Sequence, residues 1–278
     1  MSTSNEDLDP LPIITRNERA AKPRTTGVTE VRGPYYSTFG AAYLDDMLEA
    51  SAPYVDWLKI PGPAIALLPR KSLSAMIDAC HARDIKISAG GLIEMVVTQG
   101  AAVVSTYFDT LRDVGFDVVE VSAGMLSLPT SDYLRLVERA KKTGMTVKAE
   151  VGIQFGAGGT SSSDSLAAEG TGSTSFAIQR GRSALDAGAD IVILESEGVT
   201  ESVTSWRTDV VAAFVEEFGL ETLMFEAADP RVFEWYIKNF GAEVNLFVDH
   251  SQVLLLESVR SGIWGSHSLW NRVATYKG

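Results

Sequence analysis

From Gly27 onward the chain alternates short β-branched runs with longer segments of helical period. The runs VTEV (28–31), YVDWLKI (54–60), IKISAG (85–90), DVVEVS (117–122), MTVKAEV (145–151), DIVILE (190–195), TLMFEA (222–227) and VNLFVD (244–249) read as strands. Between them, FGAAYLDDMLEA sets Phe39, Tyr43, Met47 and Leu44, Leu48 at four-residue steps, and SDYLRLVERAKK gathers Tyr133, Leu134, Val137 and Ala140 on one face, so both are amphipathic helices. Asp229 followed by Pro230 is a helix start, and Gly115, Gly144, Gly188, Gly219 and Gly241 each close a helical pattern just before a strand. Strand starts recur at steps of roughly thirty residues. This order predicts a single-domain α/β protein, a (β/α)8 TIM barrel over 27–278, rather than a doubly wound sheet with its phosphate-loop glycine fingerprint. Residues 1–26 are polar and aperiodic and read as an N-terminal extension that covers the barrel bottom or meets a partner. The Gly/Ser-rich stretch at 153–175 follows strand five, where barrel active-site loops emerge, and reads as a lid, with a plain solvated linker as the alternative.

The 278 residues include 24 Lys and Arg against 36 Asp and Glu, a net charge of −12, which works against nucleic acid or an anionic membrane as a partner. No apolar run is long enough to span a bilayer, and the N-terminus carries acidic residues where a secretory signal needs an apolar stretch. A cytoplasmic protein, in the form of a homo-oligomer, is the expectation. The single Cys80 excludes an internal disulfide and falls on the apolar stripe Leu73, Met76, Ile77, Cys80, a core position.

Strands of a parallel barrel are normally continuous apolar runs, because both faces are buried. Here they carry charge: Glu30, Lys59, Glu120, Lys148 with Glu150, Glu195, Glu226 and Asp249 lie at or near the carboxyl ends, where barrel enzymes place their chemistry, and Glu94 follows the Gly90-Gly91 break. Alternation puts Glu120 and Ser122 on one face, as it does Lys148 and Glu150, and Asn245 and Asp249. Carboxylates aimed into a narrow mouth need a hard divalent cation or a lysine, and the alternative is a structural ion-pair layer with Lys59, Lys148 and Arg32. The three histidines lack HExxH spacing and cysteine companions, so zinc is not expected; GxSxG and Walker A sequences are absent, and GAGG at 156–159 lacks the GxGxxG frame. His250, directly after Asp249, is the one histidine at a strand end and a candidate proton carrier.

The segments TEVRGPYYSTFG, LKIPGP, SAGGLIE, VEVSAG, KAEVGIQFGAGG, ILESEGVTE, FEAADP and VNLFVDHSQVLLLESVRSGIWG resemble the phosphosulfolactate synthase family over about residues 27–277. The resemblance implies a (β/α)8 barrel that, in the founding enzymes, adds sulfite to phosphoenolpyruvate with Mg2+; the family also includes plant heat-stress-associated relatives. Lys59, Glu94, Glu120, Glu150, Glu195, Glu226 and Asn245 match its pattern. The lysine pair that follows Glu-Val-Gly in the founding enzymes, one member of which serves as proton donor, is replaced here by Ile153 and Gln154; an aspartate becomes Ala123, and a glycine-rich stretch becomes Lys59-Ile60-Pro61-Gly62-Pro63.

The expected function is therefore Mg2+-dependent lyase or synthase chemistry on a small anionic, enolisable carboxylate. Lys59, Lys148, Glu150 and His250 are the catalytic candidates, with Lys148 first as proton carrier. Arg32, Glu94, Glu120, Ser122, Gln154 and Asn245 are candidates for substrate binding, and Glu150, Glu195 and Glu226 for the metal. Phosphosulfolactate synthesis itself and a non-catalytic stress or assembly protein are the alternatives. A phosphate would be expected at the loops after strands seven and eight, 227–229 and 250–252, joined by Ser261, Gly262 and Gly265.

Overall fold

A computed structural model describes residues 11–154, 161–169, 173–266, 269–270 and 272–275. Eight parallel strands close in chain order into one barrel. They are β1 (Thr29–Arg32), β2 (Trp57–Ile60), β3 (Lys86–Ala89), β4 (Val118–Val121), β5 (Thr146–Val151), β6 (Ile191–Leu194), β7 (Leu223–Glu226) and β8 (Leu246–Asp249). Every sequence-predicted strand is present. Outside them lie α1 (Ala41–Ser51), α2 (Gly62–Leu67), α3 (Arg70–His81), α4 (Ile93–Val97), α5 (Ala101–Val114), α6 (Thr130–Lys141), α7 (Ser163–Glu169), α8 (Thr174–Asp186), α9 (Thr208–Phe218), α10 (Pro230–Phe240) and α11 (Val253–Arg260).

The helices form where expected and for the expected reasons. Asp229 accepts hydrogen bonds from the backbone N–H groups of Arg231 and Val232, capping α10 with Pro230 at its first position. Gly115 closes α5 in a left-handed conformation at φ +112° that a side chain would strain. In α6 the buried face is Tyr133, Leu136, Val137 and Ala140, so Leu136, three residues on from Tyr133, replaces the predicted Leu134. Cys80 is fully buried in the core, as its stripe predicts. Of the stretch 153–175, Ser163–Glu169 and the start of α8 at Thr174 are helical; the GAGG segment at 156–159 lies outside the described residues, as do residues 1–10 and 276–278.

Two apolar clusters organise the interior. The larger fills the layer between strands and helices, and the smaller, with Trp57, Val118, Ile191, Ile193, Met224 and Phe247, fills the lower barrel. Below it, residues just before alternate strands close the barrel bottom. Asp56, Asp117, Asp190 and Asn245 accept the backbone N–H groups of Thr29, Ile87, Val147 and Val28 in neighbouring strands. Residues from the N-terminal extension lie on this end: Arg24 pairs with Asp56 at 2.9 Å, Arg19 pairs with Glu257, and the Asn17 amide donates to the carbonyls of Arg260 and Val273.

Candidate active site

Strand alternation sends one side chain in two into the barrel, and above the apolar cluster the inward residues are charged. The lower charged layer is closed on itself. Lys148 is fully buried and donates to Glu30, with its ammonium 3.2 Å from Glu120. Lys59, on β2, stands 2.7 Å from Glu120 and 4.5 Å from the centroid of the Phe247 ring. Burial alone would lower the Lys59 pKa, but Glu120, Glu226, Glu150 and Glu30 surround it and hold it above its ordinary value. The same two lysines overcome the cost of burial at Glu120, whose pKa is lowered.

The upper layer is unevenly matched. Arg32 pairs with Glu226 and lies over the rings of Tyr36 and Phe247 at 5.1 and 5.0 Å. Glu195 accepts the Glu197 backbone N–H at 3.0 Å, yet burial and the neighbouring Glu226 push its pKa up to about 8. Glu150 is raised well above the carboxylate range by burial first and then by repulsion from Glu120, Glu195 and Glu226, and among the described residues no cation pairs with it. These groups form the floor of a cavity of about 460 Å3 at the carboxyl ends of the strands.

The cavity wall is apolar. Tyr35 and Tyr36 come from the loop after β1, Pro61 from just after the end of β2 and Pro63 from the first turn of α2, Leu92 and Met95 from around α4, and Met125 and Leu126 from the loop after β4. Gly90 and Gly91 are needed at its base: a Cβ at Gly90 would stand 3.1 Å from Lys59 Cε, and one at Gly91 would strike Ser122 Oγ at 2.6 Å. Glu94 organises the β4 loop. Its carboxylate accepts from Ser122 Oγ at 2.6 Å and from the backbone N–H groups of Gly124 and Met125 at 3.2 and 2.8 Å.

Arg32, Lys59, Glu94, Glu120, Ser122, Glu150, Glu195 and Glu226 thus meet in one cavity, as the sequence predicts. Four candidates do not. Lys148 lies a layer deeper and is enclosed by its carboxylates, so it has no exposed ammonium to offer a ligand. Asn245 belongs to the opposite end: its amide donates to the carbonyls of Leu220 and Leu223 and accepts from Val28 N–H, leaving no donor over. Although Asn245 and Asp249 share a strand face, four residues separate them by about 13 Å, which is the height of the barrel wall. His250 is enclosed behind the mouth, its Nδ1 at 3.1 Å from the Arg32 carbonyl and its Nε2 at 3.2 Å from Tyr43 Oη, with Phe39 packed on the ring. Gln154 does not line the cavity and packs beside Gly198, its amide donating to the Leu166 carbonyl of α7, while Ile153 is buried. What sequence reasoning missed is the apolar wall; its residues lie in loops and in the short helices α2 and α4, and the sequence signal for it is the pair of prolines after β2.

The metal expectation turns on the donors present. Among the described residues no three acidic, histidine or cysteine side chains converge at metal distance. Mg2+ in enzymes is usually held by one or two carboxylates with water and substrate completing the shell, and Glu195, with the Glu226 oxygen turned away from Arg32, meets that demand in donor type.

The sequence profile described as (2R)-phospho-3-sulfolactate synthase (ComA) matches residues 17–266. The chain belongs to the phosphosulfolactate synthase family. It is 32% identical over 253 residues to Protein HEAT-STRESS-ASSOCIATED 32 of Arabidopsis thaliana, covering 87% of this chain and 88% of that one. It is 26% identical over 254 residues to phosphosulfolactate synthase of Methanothermobacter thermautotrophicus, covering 89% and 93%. Among solved structures it resembles 2,3-dimethylmalate lyase at 14% identity and a TM-score of 0.53, covering 83% and 78%, and 3-hexulose-6-phosphate synthase of Salmonella typhimurium at 10% and 0.54, covering 84% and 98%. These two likenesses establish the shared barrel. No helix among the described residues is long and apolar enough to cross a membrane.

Proposed function

We propose that this member of the family is a Mg2+-assisted lyase or synthase acting on a small enolisable carboxylate, with chemistry diverged from sulfite addition. The observation that carries the reading is the floor of the mouth, where the Lys59 ammonium stands near two carboxylates, the half-buried Glu150 and the buried Glu195, that lack cations of their own. Mg2+, when bound at Glu195 and Glu226, would supply Lewis acidity to a carboxylate or carbonyl oxygen. Lys59, kept charged by Glu120, stabilises negative charge developing on the enolate oxygen. Glu150, lining the cavity without an ion pair, exchanges the proton at the adjacent carbon. Arg32, fixed by Glu226 and by the Tyr36 and Phe247 rings, orients the substrate carboxylate. Glu94, Glu120 and Lys148 position these groups.

Divergence is supported by Ile153 and Gln154. Where the family resemblance places a lysine proton donor, the chain has a buried aliphatic side chain and an amide tied to Leu166. Loss of a positioned general acid costs about 10²- to 10⁴-fold, so sulfite addition to phosphoenolpyruvate should be slower by that factor than in an enzyme that keeps the lysine. The test is nuclear magnetic resonance of pyruvate in D2O with Mg2+, together with a thermal melt against Mg2+. Exchange of the C3 protons that is lost in Lys59→Met, and a Mg2+-induced melting shift that is lost in Glu195→Gln, are expected. Ordinary turnover of phosphoenolpyruvate and sulfite, or melts of both proteins unmoved by Mg2+, would overturn the reading.

A further inference from the structure

Barrel enzymes usually hold a substrate phosphate on free backbone N–H groups after strands seven and eight. In this chain both places are filled by its own carboxylates. After β7, Asp229 takes the N–H groups of Arg231 and Val232; after β8, Asp249 takes both the N–H at 2.9 Å and the hydroxyl at 2.6 Å of Ser251. A phosphate there would face two fixed negative charges and donors already in use. Ser261 and Gly262, the other candidates for an anion cradle, lie at the barrel bottom, where the Ser261 carbonyl accepts from Asn17 N–H and a Cβ at Gly262 would stand 2.6 Å from the Val273 carbonyl. The cavity's two cations, Arg32 and Lys59, each already face one carboxylate, Glu226 and Glu120, so they offer less to a phosphate dianion than to a singly charged carboxylate.

The wall opposite points the same way. Met95 and Met125 line the cavity yet are 61% and 60% exposed, and Met125 is no accident of a loose loop, because the Glu94 carboxylate clamps its backbone N–H and that of Gly124. Two flexible thioethers beside Leu92, Leu126 and Tyr35 make an adaptable apolar surface whose contact with water an apolar ligand group would remove. A three-carbon acid on the charged floor leaves much of a cavity of about 460 Å3 unfilled.

We propose that the ligand of this mouth carries no phosphate and bears an apolar arm, a phenyl ring or branched alkyl chain, that lies against Met95, Met125 and Leu126. The head group follows from the function proposed above; the arm rests on the wall alone. Isothermal titration of the full-length protein with Mg2+ present separates the two. The probes are phenylpyruvate against pyruvate, 3-phenylpropylamine against propylamine, and phosphoenolpyruvate and inorganic phosphate as competitors. The ring should tighten binding by about tenfold or more. That increment should shrink several-fold in Met125→Ser and in Met95→Ser, both at exposed positions where folding is safe, and neither phosphate compound should compete at concentrations that saturate phenylpyruvate. A ring increment in the amine series alone upholds the arm and removes the enolisable-carboxylate head. No increment in either series, including no binding by any of the four, overturns the arm, and so does phosphoenolpyruvate or phosphate competing as well as phenylpyruvate.

Discussion

Both ends of the barrel bury charge, and they treat it differently. At the bottom, most of the charge is taken up by the fold: Asp56 holds Thr29 N–H and Arg24, Asp190 holds Val147 N–H and Lys141, and Arg260 donates to the carbonyls of Ala242 and Val244, although burial lowers the Arg260 pKa to about 9 and its Nε finds no acceptor among the described residues. At the mouth, Glu150 and Glu195 are crowded by other carboxylates and raised in pKa, chiefly by burial. Groups satisfied by the fold stabilise it; groups left short of a counter-charge weaken it and wait for a ligand. The Lys148 layer between them behaves like the bottom although it lies within reach of the mouth.

That contrast can be broken at several points. Replacing Lys148 by Met leaves Glu30 and Glu120 buried without their ammonium and should cost about 3–5 kcal/mol in urea unfolding, as breaking a buried pair does; a loss under about 1 kcal/mol would place Lys148 among the functional groups after all. Asn245→Ala orphans one N–H and two carbonyls and should cost about 2–4 kcal/mol while leaving ligand titrations unchanged; altered ligand affinity would return Asn245 to the mouth.

Glu195 should act with the opposite sign. Its pKa rises from an ordinary 4.5 in the unfolded chain to about 8 when folded, so it costs nothing at low pH, and its cost grows as pH climbs from about 4.5 to about 8 and is constant above. Without Mg2+, Glu195→Gln should therefore stabilise the protein by about 1–3 kcal/mol at pH 8 and by little at pH 4.5. Thermal melts across that range check it, and a variant equally destabilised at both ends would show that Glu195 is satisfied as it stands. The smallest effect belongs to Met125→Ser, whose half-open side chain should move stability by less than about 0.5 kcal/mol, the ordinary range for a surface change.

Much of this molecule is legible in its sequence. Period-two runs separated by helical stretches and closing glycines define eight strands, and residue parity puts Lys59, Glu120, Glu150, Glu195 and Glu226 on inward faces at one end, because a strand's alternation is a property of the backbone itself. Even the bottom ring leaves a trace, an Asp or Asn immediately before every second strand. Height along the barrel axis is another matter. Lys148 and Lys59 look alike in sequence, yet one is sealed and the other open, since that depends on the stagger of neighbouring strands. Pairing is equally a tertiary fact: whether Glu226 meets Arg32 or a metal, and whether Glu94 meets a substrate or the loop carrying Met125, is decided by elements far apart in the chain. The closed barrel alone brings them within a hydrogen bond's reach.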